Sequence, residues 1–270
     1  MPTTDSSSFP ELTAAQASQI KSLLREKQAR EAEGLFVMEG AKPIRELLRI
    51  KSPAIESIVV TQAWLDACEP AERRLLGSQS VHLCRNTLLE KLSDAMTSQG
   101  ILAVLKKPAW DQAGLFKRPQ VLGLYGESLQ DPTNVGTIVR TAAAFGLDGL
   151  WLSADSVDVF NPKIVRATAG TLLKLPVFSI PDASRFTRDA CTLLAADASG
   201  KRTKRLDEID TIPAKSVIAL GNESRGLSQA TLDQAALRFH IPISKDVESL
   251  NVAASAAIAA YHFSRLPRGA

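Results

Sequence analysis

Three polar turns carry residues of types that can do chemistry: Asn134 to Arg140, Gly221 to Gly226, and Ser249 to Asn251. Each follows a run of strand-like composition. Arg, Asn, Glu and Ser are suited to holding and orienting a cationic or phosphate-bearing substrate more than to hydrolysing one. Glycines at 221 and 226 let backbone N–H and C=O groups approach a ligand closely, as an adenine or ribose requires. Taken singly, each turn has a plainer reading: Asn134 starts a helix, Glu223 is a surface carboxylate, and Ser249 caps the last helix. Together they say more, because parallel strands bring their carboxyl ends to one edge, where loops distant in sequence share a crevice.

Other chemistries lack their signatures. There is no GxGxxG after a strand, no GxxxxGK[ST] and no GxSxG. His82, His240 and His262 sit in no metal-ligand spacing, so no metal is expected, and Cys68, Cys84 and Cys191 form no CxxC pair. The thiols point to a reducing, cytoplasmic setting. No apolar run reaches the roughly 20 residues that span a bilayer, and no secretory leader is visible. Hydrophobic residues make up 45% of the chain, and Lys+Arg of 32 against Asp+Glu of 29 leave a charge of +3. A nucleic-acid partner is thus permitted, through a local basic face, but not demanded.

The elements that must position these turns alternate between strand and helix. Residues 1–12 read as an unstructured lead, and residues 13–106 as a smaller α/β domain with a mostly parallel or mixed sheet. Its first helix is expected from Thr13 to Arg30, with Lys21, Arg25, Lys27 and Arg30 on an outer face that is either solvated or in contact with RNA. Asn86 is a candidate cap for a later helix. Two prolines and scattered charge place a linker at 107–120. Residues 121–270 have the rhythm of a doubly wound sheet, including a βαβ unit in which Asp131 or Thr133 caps the helix and Gly146 stops it. A short strand is expected through FHIPIS, and the closing Ala-rich helix from about Ser249.

The runs NVGTIVRTAAAFG, NPKIVRATAG, LGNESRGLS and IPISKDVESLNVAASAAIA resemble the motifs of the SpoU (TrmH-like) branch of the SPOUT RNA ribose 2′-O-methyltransferases. The likeness covers Val121 to Phe263, with the motifs in order. REKQAR and FVMEG give the N-terminal domain a looser likeness to that family's RNA substrate-binding domain, which is ribosomal L30e-like. The resemblance implies an α/β SPOUT domain with a parallel sheet and a deep trefoil knot, working as a homodimer through the Ala-rich helix. It implies S-adenosylmethionine as cofactor, held by Leu220, Gly221, Asn222, Gly226, Ile241, Ile243 and Leu250. By motif matching, Arg140 is the catalytic arginine, which either accepts the ribose proton or only positions the neighbouring phosphate, supported by Asn134, Glu223, Ser249 and Asn251, with Glu223 orienting Arg140 or the loop. Arg30 and Arg166 become candidate RNA contacts, Arg166 with a surface salt bridge as its plainer reading. The expected reaction is methyl transfer to a ribose 2′-OH of structured RNA, ribosomal RNA ahead of transfer RNA. The alternative is a noncatalytic RNA-binding or ribosome assembly factor on the same fold.

Overall fold

A computed structural model describes residues 9–93, 98–198 and 202–269. The chain divides into two units, one running to Ala109 and including Phe160–Gly170, the other made of Trp110–Val159 and Thr171–Ala270. In the first unit, α1 (Ala14–Arg25) and α2 (Lys27–Glu33) precede β1 (Leu35–Glu39), α3 (Ala41–Arg49) and β2 (Ile55–Thr61). Then come α4 (Gln62–Asp66), α5 (Pro70–Leu76), β3 (Val81–Cys84), α6 (Asn86–Leu92) and β4 (Ile101–Lys106). The sheet order is β1-β4-β2-β3, antiparallel except for the parallel β2/β3 pair. Ile20, Leu23 and Leu24, spaced to share one helical face, bury α1 against Val37, Val59, Leu102 and Val104 of that sheet.

The second unit begins with α7 (Gln112–Phe116), β5 (Val121–Gly126), α8 (Pro132–Ala144) and β6 (Gly149–Ser153). After α9 (Pro162–Ala167), which belongs to the first unit, come β7 (Val177–Ile180), α10 (Ser184–Arg188) and β8 (Thr192–Ala196). β9 (Lys204–Arg205), β10 (Ile212–Pro213), β11 (Lys215–Leu220), α11 (Gln229–Gln234), β12 (Leu237–His240), α12 (Val252–Ser264) and β13 (Arg268–Gly269) complete it. Among the described residues, seven strands form one sheet in the order β7-β6-β5-β11-β8-β12-β9, every neighbouring pair parallel. β5 and β11 are buried along almost their whole length, as strands covered on both faces must be. Trp151, Tyr125, Phe186 and Phe116 pack on one side. On α12, Val252, Ala256, Ala259, Ala260 and Phe263 are buried, and the helix lies on α8, β5 and β11.

The register of β5 and β11 pairs Gly126 with Leu220, so the turns that follow both strands leave the sheet side by side. Strand order also reverses here: from β5 the chain steps outward to β6 and β7, then returns to β8 and β11 on the other side. Open parallel sheets form their crevice at such a reversal.

Several sequence expectations change. The helix expected over Thr13–Arg30 is broken at Glu26, whose backbone is extended (φ −115°, ψ 117°). Pro10 and Leu12, expected in the unstructured lead, hydrogen bond to Leu83 on β3 (2.8 Å each), while residues 1–8 of that lead lie outside the described residues. Within the expected linker, Asp111 caps α7 by accepting from the Gly114 N–H at 2.9 Å, and Leu115 and Phe116 are buried in the second core. Arg85 rather than Asn86 holds the N-cap position of α6. The strand expected through FHIPIS ends at His240, leaving Ile241–Ile243 out of the ladder. α12 starts at Val252 with Asn251, not Ser249, as its cap. Among the described residues no helix is long and apolar enough to cross a membrane, and no group of His, Cys, Asp and Glu is arranged to hold a metal.

Candidate functional site

Two of the polar turns, Gly221–Gly226 and Ser249–Asn251, meet the start of α8 at the carboxyl edge of the second unit's sheet, while Asn134–Arg140, expected as a turn, is helical. Asp131 caps α8 by accepting from the Thr133 N–H at 2.8 Å, and Pro132 at the first helical position has no N–H to leave unpaired. That start places Asn134 facing inward, buried at 7% exposure. Its Nδ2 donates to Glu223 Oε1 (3.1 Å), and its Oδ1 accepts from Asn251 Nδ2 (3.0 Å). Asn251 Oδ1 in turn accepts from the N–H groups of Ala253 and Ala254, fixing the first turn of α12. The first turn of α8 and the two loops thus each supply one residue to a single relay, Asn251 to Asn134 to Glu223.

The second turn is shaped by its own backbone. Asn222 and Gly226 exchange two hydrogen bonds (3.0 and 2.9 Å), and Gly226 takes the left-handed conformation at φ 69°. A Cβ on Gly221 would lie 2.0 Å from the Gly226 carbonyl carbon, so only glycine allows the strand end and the returning loop to touch. Asn222 Oδ1 accepts from the N–H groups of Ser224 and Arg225, and its Nδ2 donates to the Ser128 carbonyl at 2.7 Å. Glu223 is reached by solvent, yet its pKa lies below the ordinary carboxylate value. Partial burial pushes it up, and bonds from its own N–H, from Asn134 and from the Asp131 and Gln130 backbone outweigh that.

Below these turns lies a cleft of about 900 Å³. Leu220, Gly221, Asn222, Gly226, Ile241, Ile243 and Leu250, the seven residues expected at a cofactor, all line it, as do Glu223, Ser249 and Asn251. Ser249 is exposed at the rim. Arg140 is exposed on α8 and makes no hydrogen bond or ion pair with the described residues. It stands six residues from Asn134, about 9 Å along the helix and on another face. Glu223 Oε1 accepts from Asn134 Nδ2 and the Asp131 N–H, and no bond between Glu223 and Arg140 is present among the described residues.

Neither expected RNA contact presents a free charge. Arg30 is 3% exposed and donates from Nη1 to the Leu23 carbonyl at 2.7 Å, so it ties α2 back onto α1. The break at Glu26 turned it inward. Arg166 pairs with Glu39 of β1 at 3.3 Å within the first unit, which is its plainer salt-bridge reading.

A second polar layer was missed. Ser128, in a left-handed conformation (φ 54°), donates its N–H to Ser153 Oγ (2.7 Å) and its hydroxyl to Asp155 Oδ2 (2.5 Å). Ser153 also donates to Asp155 Oδ1 at 2.6 Å. The Ser128 and Ser153 hydroxyls hold the Asp155 carboxyl below its ordinary pKa. Glu127 accepts from the Ser228 N–H and hydroxyl (2.8 Å each) and from Thr231 Oγ1 (2.7 Å), clamping the end of β5 to the start of α11. The only signal in the sequence was position: Glu127, Ser128 and Ser153 follow or end buried strands that turn out to be neighbours.

Known proteins resemble this chain in sequence and in fold. Residues 122–261 match the model of the SpoU rRNA Methylase family, and residues 17–103 match the MRM3-like substrate binding domain. The chain is 32% identical over 268 residues to the Uncharacterized tRNA/rRNA methyltransferase slr1673 of Synechocystis sp., covering 96% of this chain and 95% of that one. It is 30% identical over 243 residues to the 23S rRNA (guanosine(2553)-2′-O)-methyltransferase RlmP of Bacillus subtilis, covering 88% and 92%. Its fold is similar to the crystal structure of the SpoU methyltransferase AviRb from Streptomyces viridochromogenes in complex with AdoMet. That match has a TM-score of 0.78 at 25% identity and covers 93% of this chain and 98% of that one.

Proposed function

The chain belongs to the SpoU rRNA methylase family, and on that premise we propose that it transfers a methyl group from S-adenosylmethionine to a ribose 2′-OH of large-subunit ribosomal RNA. The observation that carries this reading is the Asn251–Asn134–Glu223 relay at the mouth of a cleft lined by the seven expected cofactor residues. The cleft suits such a molecule. Its volume of about 900 Å³ is of the size that small-molecule sites have. Ile241, Ile243 and Leu250 offer apolar walls, and the strand end at Leu220–Asn222 offers backbone groups. Asp197, Glu248, Arg205 and Lys245 offer charges of both signs for an amino-acid tail.

When bound, the cofactor supplies an electrophilic methyl on a sulfonium sulfur. The chain's own residues do the rest. Arg140, an exposed cation with no partner among the described residues, binds the phosphate beside the target ribose and steadies the developing alkoxide. A guanidinium is already protonated and has no lone pair to accept with, so the 2′-OH proton leaves to solvent water. Asn134, Glu223 and Asn251 fix the three turns relative to one another, so that attack is a matter of placement. Ser249, exposed at the rim, orders the target nucleotide.

The same reading includes the family's trefoil knot in the second unit, an L30e-like fold for the first, and a cytoplasmic homodimer. The dimer is supported by an exposed apolar face: Ile258 and Tyr261 on α12 are 40% and 50% exposed, and Phe145 meets Tyr261 edge-on at 5.7 Å. Its Ala254 neighbour leaves room for close helix approach. Ribose-methylation sequencing of total RNA from a deletion strain tests the substrate. Loss of one large-subunit mark, restored by the purified protein with S-adenosylmethionine, is expected; a mark lost only from transfer RNA overturns the choice of ribosomal RNA.

A further inference from the structure

Of the four cations expected on the outer face of the first helix, two are spent. Arg30 is buried, and Lys27 pairs with Glu31 at 3.6 Å. Lys21 and Arg25 remain. They lie one turn apart on α1 and line a hollow of about 170 Å³ together with Lys91 of α6 and Lys163 of α9. All four side chains are exposed, and none forms a hydrogen bond or ion pair with the described residues. No carboxylate is among the described residues that line the hollow, whose other polar groups are Ser93 and Asn161. Four like charges gathered around one depression repel one another unless an anion is there to balance them.

Lys91 also borders a second, larger hollow of about 570 Å³, where Arg85 and Thr87 offer further donors and Glu11 is the lone described carboxylate. Two donor-rich hollows sharing one lysine make a track, which suits a repeating polyanion better than a single phosphate. Neither hollow has an aromatic side chain among its described lining residues, so bases have nothing to stack on.

Resting on the RNA methyltransferase reading above, we infer that Lys21, Arg25, Lys91 and Lys163 are the phosphodiester-backbone clamp of the first unit, and that it binds structured RNA without reading its sequence. Lys163 ties the clamp to the motif run NPKIVRATAG, whose α9 belongs to this unit.

The test uses the full-length protein and a ribosomal RNA fragment that the wild type methylates, with affinity measured by anisotropy across a salt series. Each lost phosphate contact lowers the slope of log affinity against log salt by about 0.7 to 0.9. K21A/R25A and K91A/K163A should each lower it by roughly 1.5 and weaken binding about tenfold near physiological salt. KM for RNA should rise, while kcat at saturating RNA and S-adenosylmethionine binding stay at wild-type levels. Arginine at the three lysine positions should restore the slope, and K51A/R74A, a charge-matched change elsewhere on the same unit, should leave it unchanged. An unchanged slope in the quadruple alanine variant, with the wild type active, overturns the clamp and leaves the methyltransferase reading standing. Equal competition by polyglutamate also overturns it, as a site for acidic protein would behave that way. A wild type that neither binds nor methylates any ribosomal RNA removes both.

Discussion

The carboxyl edge of the second unit's sheet and the basic hollow of the first are both polar, and they are built on opposite plans. At the sheet edge Asn134, Asn222, Glu223, Asn251, Ser128 and Ser153 all have hydrogen-bond partners drawn from distant turns. In the hollow, four cations have none among the described residues. Chemistry on one atom demands fixed geometry, and a fully satisfied network supplies it. Holding a polyanion demands only charge at the right spacing, and pairing those charges internally would cancel it. Arg140 is an exception in the second unit, a cation on α8 with no partner among the described residues. It should therefore behave in part like the hollow, free until RNA arrives.

The largest effect is expected from Arg140→Ala. Methyl transfer should fall by about 10²- to 10³-fold or more under single-turnover conditions. S-adenosylmethionine binding should stay within about twofold, because Arg140 is not among the described residues that line the cleft. A variant that keeps full activity removes Arg140 from the reaction and leaves the network as the whole machinery.

Next in size is Gly221→Ala. Its Cβ would meet the backbone of Gly226 and Leu227 at 2.0 and 2.1 Å, so the second turn must open. At a hundredfold excess over Kd the cofactor should stabilise the wild type by about 2.7 kcal/mol. That thermal shift should vanish in G221A. A variant with the wild-type shift means the turn is not part of the cofactor's cradle.

How much of this was legible in the sequence follows the same division. The second unit's strands are short, nearly continuous apolar runs, so their existence and the polar turns after them could be read directly. Which turn meets which depended on strand order, and the pairing of β5 with β11, 94 residues apart, leaves no local trace. That is why Asn134 and Glu223 could be named but not joined, and why Glu127, Ser128 and Ser153 were passed over. Helix phase was the other blind spot. One extended residue, Glu26, reset the face of α2 and carried Arg30 from the surface into the interior. Asn251 displaced Ser249 as cap because its side chain can accept from two N–H groups of α12 while its amide donates to Asn134.

Asn134 tests whether the network behaves as a unit. Asn134→Ala removes two bonds and leaves Asn251 Nδ2 and Glu223 Oε1 without that partner, at a cost of about 1–3 kcal/mol by denaturant unfolding. Asn134→Asp keeps the shape but sets a second carboxylate against Glu223, so at neutral pH it should be no better than alanine and should recover as the medium is acidified. An aspartate variant as stable as wild type at pH 7 would mean that the three turns are held by their backbones alone.

The smallest effect belongs to the ionisation of Glu223. Its folded-state pKa is lowered from 4.5, so the charged form is the one the fold favours. Stability from this source is fully present above the ordinary carboxylate value and is lost as pH falls through the depressed folded value. Comparison of wild type with Glu223→Gln isolates it, because glutamine keeps an acceptor for Asn134 but cannot titrate. The wild-type advantage in melting temperature should be level through neutral pH and shrink below 4.5. Solvent reaches this carboxylate, so the difference should be small beside that of Asn134→Ala. A gap that persists unchanged well below 4.5 would show that the bonds to Glu223 do not depend on its charge, and the sheet-edge network would then be one of shape rather than electrostatics.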